Sequence, residues 1–190
     1  DRWRCGFTKQ PNKGRKEFCT MNESKTLKSV SIEIDHDNFD LAANYEIACT
    51  FGTWRGYGFY ILPTQGHPLL DLVAADPHAD EEDRVIKDGL TYLSIGWKDA
   101  EELYRKGEDV YTFCIDHTTK CYDDFHWDDE FIEKHCQATK INKQTVTEAL
   151  NKVAEKPDWW VCQELMADNG DSVCWDCVFQ YIDYGDVIYG

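Results

Sequence analysis

VCWDCVFQYI, residues 173–182, decides how this chain is read. Val173, Trp175, Cys177, Phe179 and Tyr181 fall on alternate positions, the period-two pattern of a strand with one buried face. Read that way it is the strongest strand in the chain. WWVCQEL (159–165) then pairs with it across ADNGD (167–171), where Asn169-Gly170 supplies the positive-φ positions that a hairpin favours. On a strand, Cys174 and Cys177 point to opposite faces, which argues against a redox or zinc CxxC and for bridges to two different elements.

Working outward, further segments alternate in the same way. KSVSIEIDHDNFD (28–40) places Val30, Ile32 and Ile34 on one side before turning acidic, and YEIACTF (45–51) does so with Tyr45, Ile47, Cys49 and Phe51. YGFYIL (57–62) follows across the glycine-bounded link GTWRG (52–56). LTYLSI (90–95) and DVYTFCI (109–115) are rich in β-branched and aromatic residues. Helical spacing is confined to KDAEELYRK (98–106), WDDEFIEKHC (127–136) and TVTEALNKVAEK (145–156), the last with Thr145 as its cap. The expected fold is mainly β: a disulfide-braced two-sheet β-sandwich with two or three short helices on one face or edge, with α+β as the alternative. Residues 1–190 are expected to form a single domain that opens with a basic segment, 1–28.

Composition narrows the function. Of the 190 residues, 42% are hydrophobic and 14% aromatic, too apolar for a disordered chain. No apolar run approaches the roughly 20 residues of a membrane span, so no membrane insertion is expected. The nine cysteines, Cys5, Cys19, Cys49, Cys114, Cys121, Cys136, Cys162, Cys174 and Cys177, read as a disulfide framework of a secreted protein. Their pairing is not legible. An odd number leaves one thiol over, free or joining two copies as a disulfide-linked dimer. Asn22, in Asn22-Glu23-Ser24, is a candidate glycosylation site. The net charge of −16 is uneven: residues 1–28 carry eight Lys and Arg against three Asp and Glu, so the remainder is still more acidic. Such a polyanion repels phosphate backbones, which excludes nucleic acid and favours basic proteins as partners.

Catalytic signatures are few. Asp35, Asp37 and Glu46 sit at positions 1, 3 and 12 of an EF-hand spacing, but Asp40 stands where that loop requires glycine. No G-x-S-x-G elbow, phosphate loop or HExxH occurs. A carboxylate pair in a cleft lined by Trp54, Trp97, Trp127, Trp159 and Trp160 would make a glycan hydrolase or lectin, the alternative from another class. A pathogen effector or toxin acting on another receptor is a second alternative. The expectation is recognition rather than turnover, without cofactor or metal.

Three cysteine-bearing stretches carry a resemblance: CTMNESKTLKSVSIEIDHDNFDLAANYEIAC (19–49), EELYRKGEDVYTFCIDHTTKC (101–121) and WWVCQELMADNGDSVCWDC (159–177). Their cysteine spacing and strand pattern resemble the secreted poxvirus immune-evasion domains, the family of the viral CC-chemokine inhibitor and the parapoxvirus inhibitor of GM-CSF and interleukin-2. Cys5, the basic first segment and GTWRGYGFYILP (52–63) fall outside the pattern. The resemblance implies a β-sandwich that sequesters a basic host chemokine or cytokine in immune evasion. Glu33, Asp35, Asp37 and Asp40 on one face, and Asp76, Asp80, Glu81, Glu82 and Asp83 in a neighbouring loop, would form the acidic landing surface. Trp54 and Tyr57 would supply the desolvated contacts.

Overall fold

The computed structural model describes residues 30–51, 54–56, 58–63, 84–117 and 127–189. The basic segment 1–28, Cys5, Cys19, Asn22, Tyr57, Asp76, Asp80, Glu81, Glu82, Asp83 and Cys121 lie outside them.

The described elements run α1 (Leu41–Phe51), β1 (Phe59–Ile61), β2 (Arg84–Lys87), β3 (Leu90–Ile95), α2 (Trp97–Lys106), β4 (Val110–Ile115), α3 (Asp129–His135), β5 (Cys136–Ile141), α4 (Lys143–Ala154), α5 (Trp160–Met166) and α6 (Ser172–Tyr184). The fold is mixed α+β. The strands form one sheet in the order β2-β3-β1-β4-β5, antiparallel at every pairing. Asp88-Gly89, both at positive φ, make the tight β2–β3 turn, a hairpin signal that Lys87-Asp88-Gly89-Leu90 carries openly in the sequence.

β4 separates two cores. Val110 faces a cluster built with the helices, whereas Phe113 and Ile115 face a second cluster that contains Ile132 of α3. Both faces are covered, so β4 is buried along nearly its whole length and loses strict alternation. Where the sandwich expectation placed a second sheet, α1, α2, α4 and α6 cover the larger cluster.

VCWDCVFQYI is helical. α6 spans 13 residues, with Asp171 as N-cap accepting from the amides of Val173 and Cys174 at 3.0 Å each, and Gly185 ending it at positive φ. Cys174, Cys177, Val178 and Tyr181 follow an i, i+3, i+4, i+7 spacing that alternation at 173, 175 and 177 conceals. Because α6 lies among α1, α4 and α5, it is apolar on most sides, and such a helix imitates a buried strand. α5 likewise replaces the expected strand at 159–165, so 167–171 joins two helices. There Asp168, not Asn169-Gly170, takes the positive φ.

YEIACTF is corrected in the same sense. Leu41, Tyr45, Ala48 and Cys49 are buried on one face of α1, while Ile47, which a strand would have turned inward with Tyr45 and Cys49, is 41% exposed. Residues 30–35 keep the expected inward alternation of Val30, Ile32 and Ile34 but join no strand among the described residues. The other readings at 57–62, 90–95, 98–106, 109–115, 127–136 and 145–156 each contain an element of the expected type. In the last, Asn142 is the cap and Thr145 its reciprocal partner, in a capping box at 2.9 and 3.0 Å.

The disulfide framework does not extend through this core. Cys49, Cys114, Cys136, Cys162, Cys174 and Cys177 are all buried thiols. In α6, Cys174 and Cys177 sit three apart on a helix, which brings them towards one face rather than sending them to separate partners.

Arg55 ties these pieces together. It is 1% exposed, and its Nη1 donates to Asp176 Oδ1 while Nη2 and Nε donate to Asp183 Oδ2 at 2.9 and 3.3 Å. Burial works against its charge, but Asp183, Tyr45 and Asp176 outweigh burial and hold Arg55 protonated. Burial raises Asp183 in spite of the guanidinium beside it. Asp176 also accepts from Trp54 Nε1 at 3.2 Å and from Gln180 Nε2 at 2.6 Å. Gln180 in turn takes the amides of Ile188 and Tyr189 at 2.7 Å each, fastening the C-terminal segment to α6.

Replacing Arg55 by Met strands two buried carboxylates, and a loss of about 3–5 kcal/mol is expected in urea denaturation. Arg55→Lys should recover only part of this, because an ammonium cannot reproduce the forked geometry. Wild-type stability in Arg55→Met would show that the network does not hold the fold together.

Candidate functional site

The acidic stretch 33–40 does meet a cavity. A cleft of about 650 Å³ lies between residues 32–44 on one side and α4, α5, α6 and the α5–α6 turn on the other. Ile32, Phe39, Leu150, Leu165, Met166 and Trp175 give it an apolar lining, and Glu33, Asp35, Asp40 and Asp168 add four carboxylates. Among the described residues no lysine or arginine lines it.

Local chemistry sets each acid in place. Asp35 opens a turn, accepting from the Asp37 amide at 3.1 Å and the Asn38 side chain at 2.6 Å, and these hydrogen bonds lower its pKa, Asn38 contributing most. Asp40 accepts from the Ala43 amide at 2.9 Å, the contact of an N-cap, and so starts α1. The amide of Ala42 donates to Glu101 Oε1 of α2 at 2.6 Å. Burial pushes the Glu101 carboxyl up and the neighbouring Asp40 adds to this, while the Ala42 amide and Arg105 oppose it. Arg105 Nη2 lies 2.6 Å from Glu101 Oε2, a direct ion pair although the angle is poor for a hydrogen bond.

The expected binding set is therefore divided. Glu33, Asp35 and Asp40 line the cleft, but Asp37 is not among its lining residues and pairs with Lys143 Nζ at 2.9 Å. Trp54 is committed inside the molecule, hydrogen-bonded to Asp176 and stacked on Tyr189 at 4.7 Å. Asp168, Phe39, Met166 and Trp175 were missed. Once 159–165 and 173–182 are read as strands, the face that presents Met166 and Trp175 cannot be reconstructed. The tryptophans proposed for a sugar cleft are dispersed: Trp97 packs on Phe59, Trp127 on Phe131, and Trp159 lies under the Lys156 ammonium.

The helical setting of the CxxC bears on its reactivity, because Cys174 occupies the first turn of α6, where a dipole can activate a thiol. Burial counteracts this. It pushes Cys174 up to about 11 and Cys177 to about 12, Asp171 acting on the first in both directions and Asp176 adding to the second. Cys49 and Cys136 are raised to about 12 by burial as well. Thiols held protonated and out of solvent are poor nucleophiles. Among the described residues no group of three or more His, Cys, Asp or Glu is arranged to hold a metal ion. No described helix is long and apolar enough to cross a membrane.

Comparison with protein-family models, curated proteins and solved structures finds no match for this chain.

Iodoacetamide at neutral pH should leave the six described cysteines unmodified in the native protein and label all six in denaturant, read by peptide mass spectrometry. Native labelling of Cys174 or Cys177 would restore a reactive CxxC.

Proposed function

We propose that the chain is a binding protein rather than an enzyme, and that its cleft receives a basic segment of another protein. The observation that carries this reading is the cleft itself, with four carboxylates among apolar side chains and no described cation among them. A lysine or arginine would be held near Glu33, Asp35, Asp40 and Asp168, while a neighbouring apolar side chain is desolvated against Phe39 and Trp175. Such a division of labour gives fast, charge-steered encounter and a small buried centre of affinity. The charge of −16 extends the attraction beyond the cleft.

With six cysteines held as buried thiols, disulfides no longer speak for secretion. The ligand is therefore named by its chemistry and not by its compartment. Chemokines and helical cytokines, the ligands implied by the poxvirus resemblance, are basic or amphipathic members of that class and form the natural first panel.

Surface plasmon resonance against this panel at about 0.05 and 0.3 M salt tests the reading, since the Debye length falls to less than half across that range. Binding should weaken with salt. Glu33→Gln with Asp168→Asn should weaken it by about tenfold at low salt, whereas Glu130→Gln on α3 should not. Salt-independent binding, or an equal effect of Glu130→Gln, would remove the cleft from the mechanism.

A further inference from the structure

His36 stands on the cleft-lining segment and reaches two other elements. Its Nδ1 lies 2.6 Å from the Tyr104 hydroxyl of α2, and its Nε2 lies 2.9 Å from Thr147 Oγ1 of α4. The donors can be assigned by counting protons. Thr147 Oγ1 already donates its hydrogen to the Lys143 carbonyl at 2.7 Å, so it can only accept from His36. The imidazole proton is therefore on Nε2, Nδ1 is the acceptor, and Tyr104 is its donor.

This neutral form is the one the surroundings favour. Burial is the main cause that lowers the pKa of His36 from its ordinary 6.5; Lys143 adds to it, and Asp37 and Asp35 oppose it. Tyr104 stays protonated, raised by burial and by Glu101. The groups facing the ring are thus Tyr104 and, behind it, Glu101 from α2, Lys143 and Thr147 from α4, and Asp35 and Asp37 from its own segment.

We propose that His36 is a pH-operated latch on the cleft. Neutral, it clamps residues 32–40 to both α2 and α4. A second proton, on Nδ1, makes the ring a donor there as well, so Tyr104 can accept it only by turning its own hydrogen away. Tyr104 is fully buried, and among the described residues its hydroxyl has no other hydrogen-bond partner to turn to. The effect reaches the cleft lining through a row of rings: His36 on Tyr104 at 5.9 Å, Tyr104 on Phe39 at 5.6 Å, and Phe39 on Trp175 at 5.4 Å. The sign follows from the lowered pKa. The folded form binds fewer protons than the unfolded one, so the clamp's stabilisation is complete above the ordinary value of 6.5 and is lost as pH falls through the folded value.

The consequence for a ligand rests on the binding role proposed above, but the latch can be read without a ligand. In the full-length chain, histidine-ring NMR should give the Nε2–H tautomer at about pH 7.5 and a midpoint below the unperturbed value, which Tyr104→Phe should move up. Amide exchange across 30–40, corrected for intrinsic rates, should accelerate between about pH 7.5 and pH 5.5 in the wild type, by no more than about tenfold. His36→Gln, which keeps a donor for Thr147 and takes no proton, should abolish that dependence. An Nδ1–H tautomer, an unshifted midpoint that Tyr104→Phe leaves in place, or equal pH dependence in His36→Gln would overturn the latch. A working latch with no ligand in the panel would sink the binding role alone.

Discussion

A single buried guanidinium orients the helical layer. Arg55 arrives on the short Trp54–Gly56 segment, which is itself held to β4: Ile115 N donates to Trp54 O at 2.7 Å and Gly56 N to Phe113 O at 2.9 Å. From that anchored position it engages Asp176 and Asp183, seven residues apart on α6 and hence on one face of the helix. Burying three ionisable groups is costly unless nearly every polar atom finds a partner; Trp54 and Gln180 donate to Asp176, and the amides of residues 188 and 189 hold Gln180 in turn. The result is less a source of net stability than a constraint on register. α6 can take one rotation about its axis and few others.

That rotation shapes the cleft. Asp176 points inward to Arg55, and Trp175, one residue earlier and about 100° around the helix, is carried toward Phe39. α1 is fixed at its start by two carboxylates on its first amides, Asp40 immediately before it and Glu101 from α2. Asp40, which starts α1, and Asp35, which closes a turn, also line the cleft, so their carboxylates are held in place before any cation arrives.

Much of the sheet was legible along the chain. β3 and β4 announce themselves through β-branched and aromatic content, and α2 and α4 through an apolar stripe opposite charged positions. The misread segments share one cause. α1, α5 and α6 are short or enclosed, with apolar residues on several faces, and in such segments a period of two and a period of 3.6 select overlapping sets of positions. Asp171 before α6 and Gly185 after it were the local signals that could have arbitrated, since a side-chain oxygen at the start and a glycine at positive φ at the end bracket a helix and not a strand. The acids of the cleft were half legible: Glu33, Asp35 and Asp40 belong to one stretch, but Asp168 joins them only through the α5–α6 turn.

By itself the sequence determined the acidity, the absence of the familiar catalytic signatures and the local wiring of Asp35 and Asn38, since composition and neighbouring hydrogen bonds are properties of short stretches. Only the tertiary structure decided that the six described cysteines stay as buried thiols, that Trp54 turns inward, and that His36 reaches Tyr104 and Thr147. Each of these depends on which elements lie side by side, with partners 68 and 111 residues distant in the case of His36. No local pattern encodes that proximity; the packing of whole elements against one another produces it.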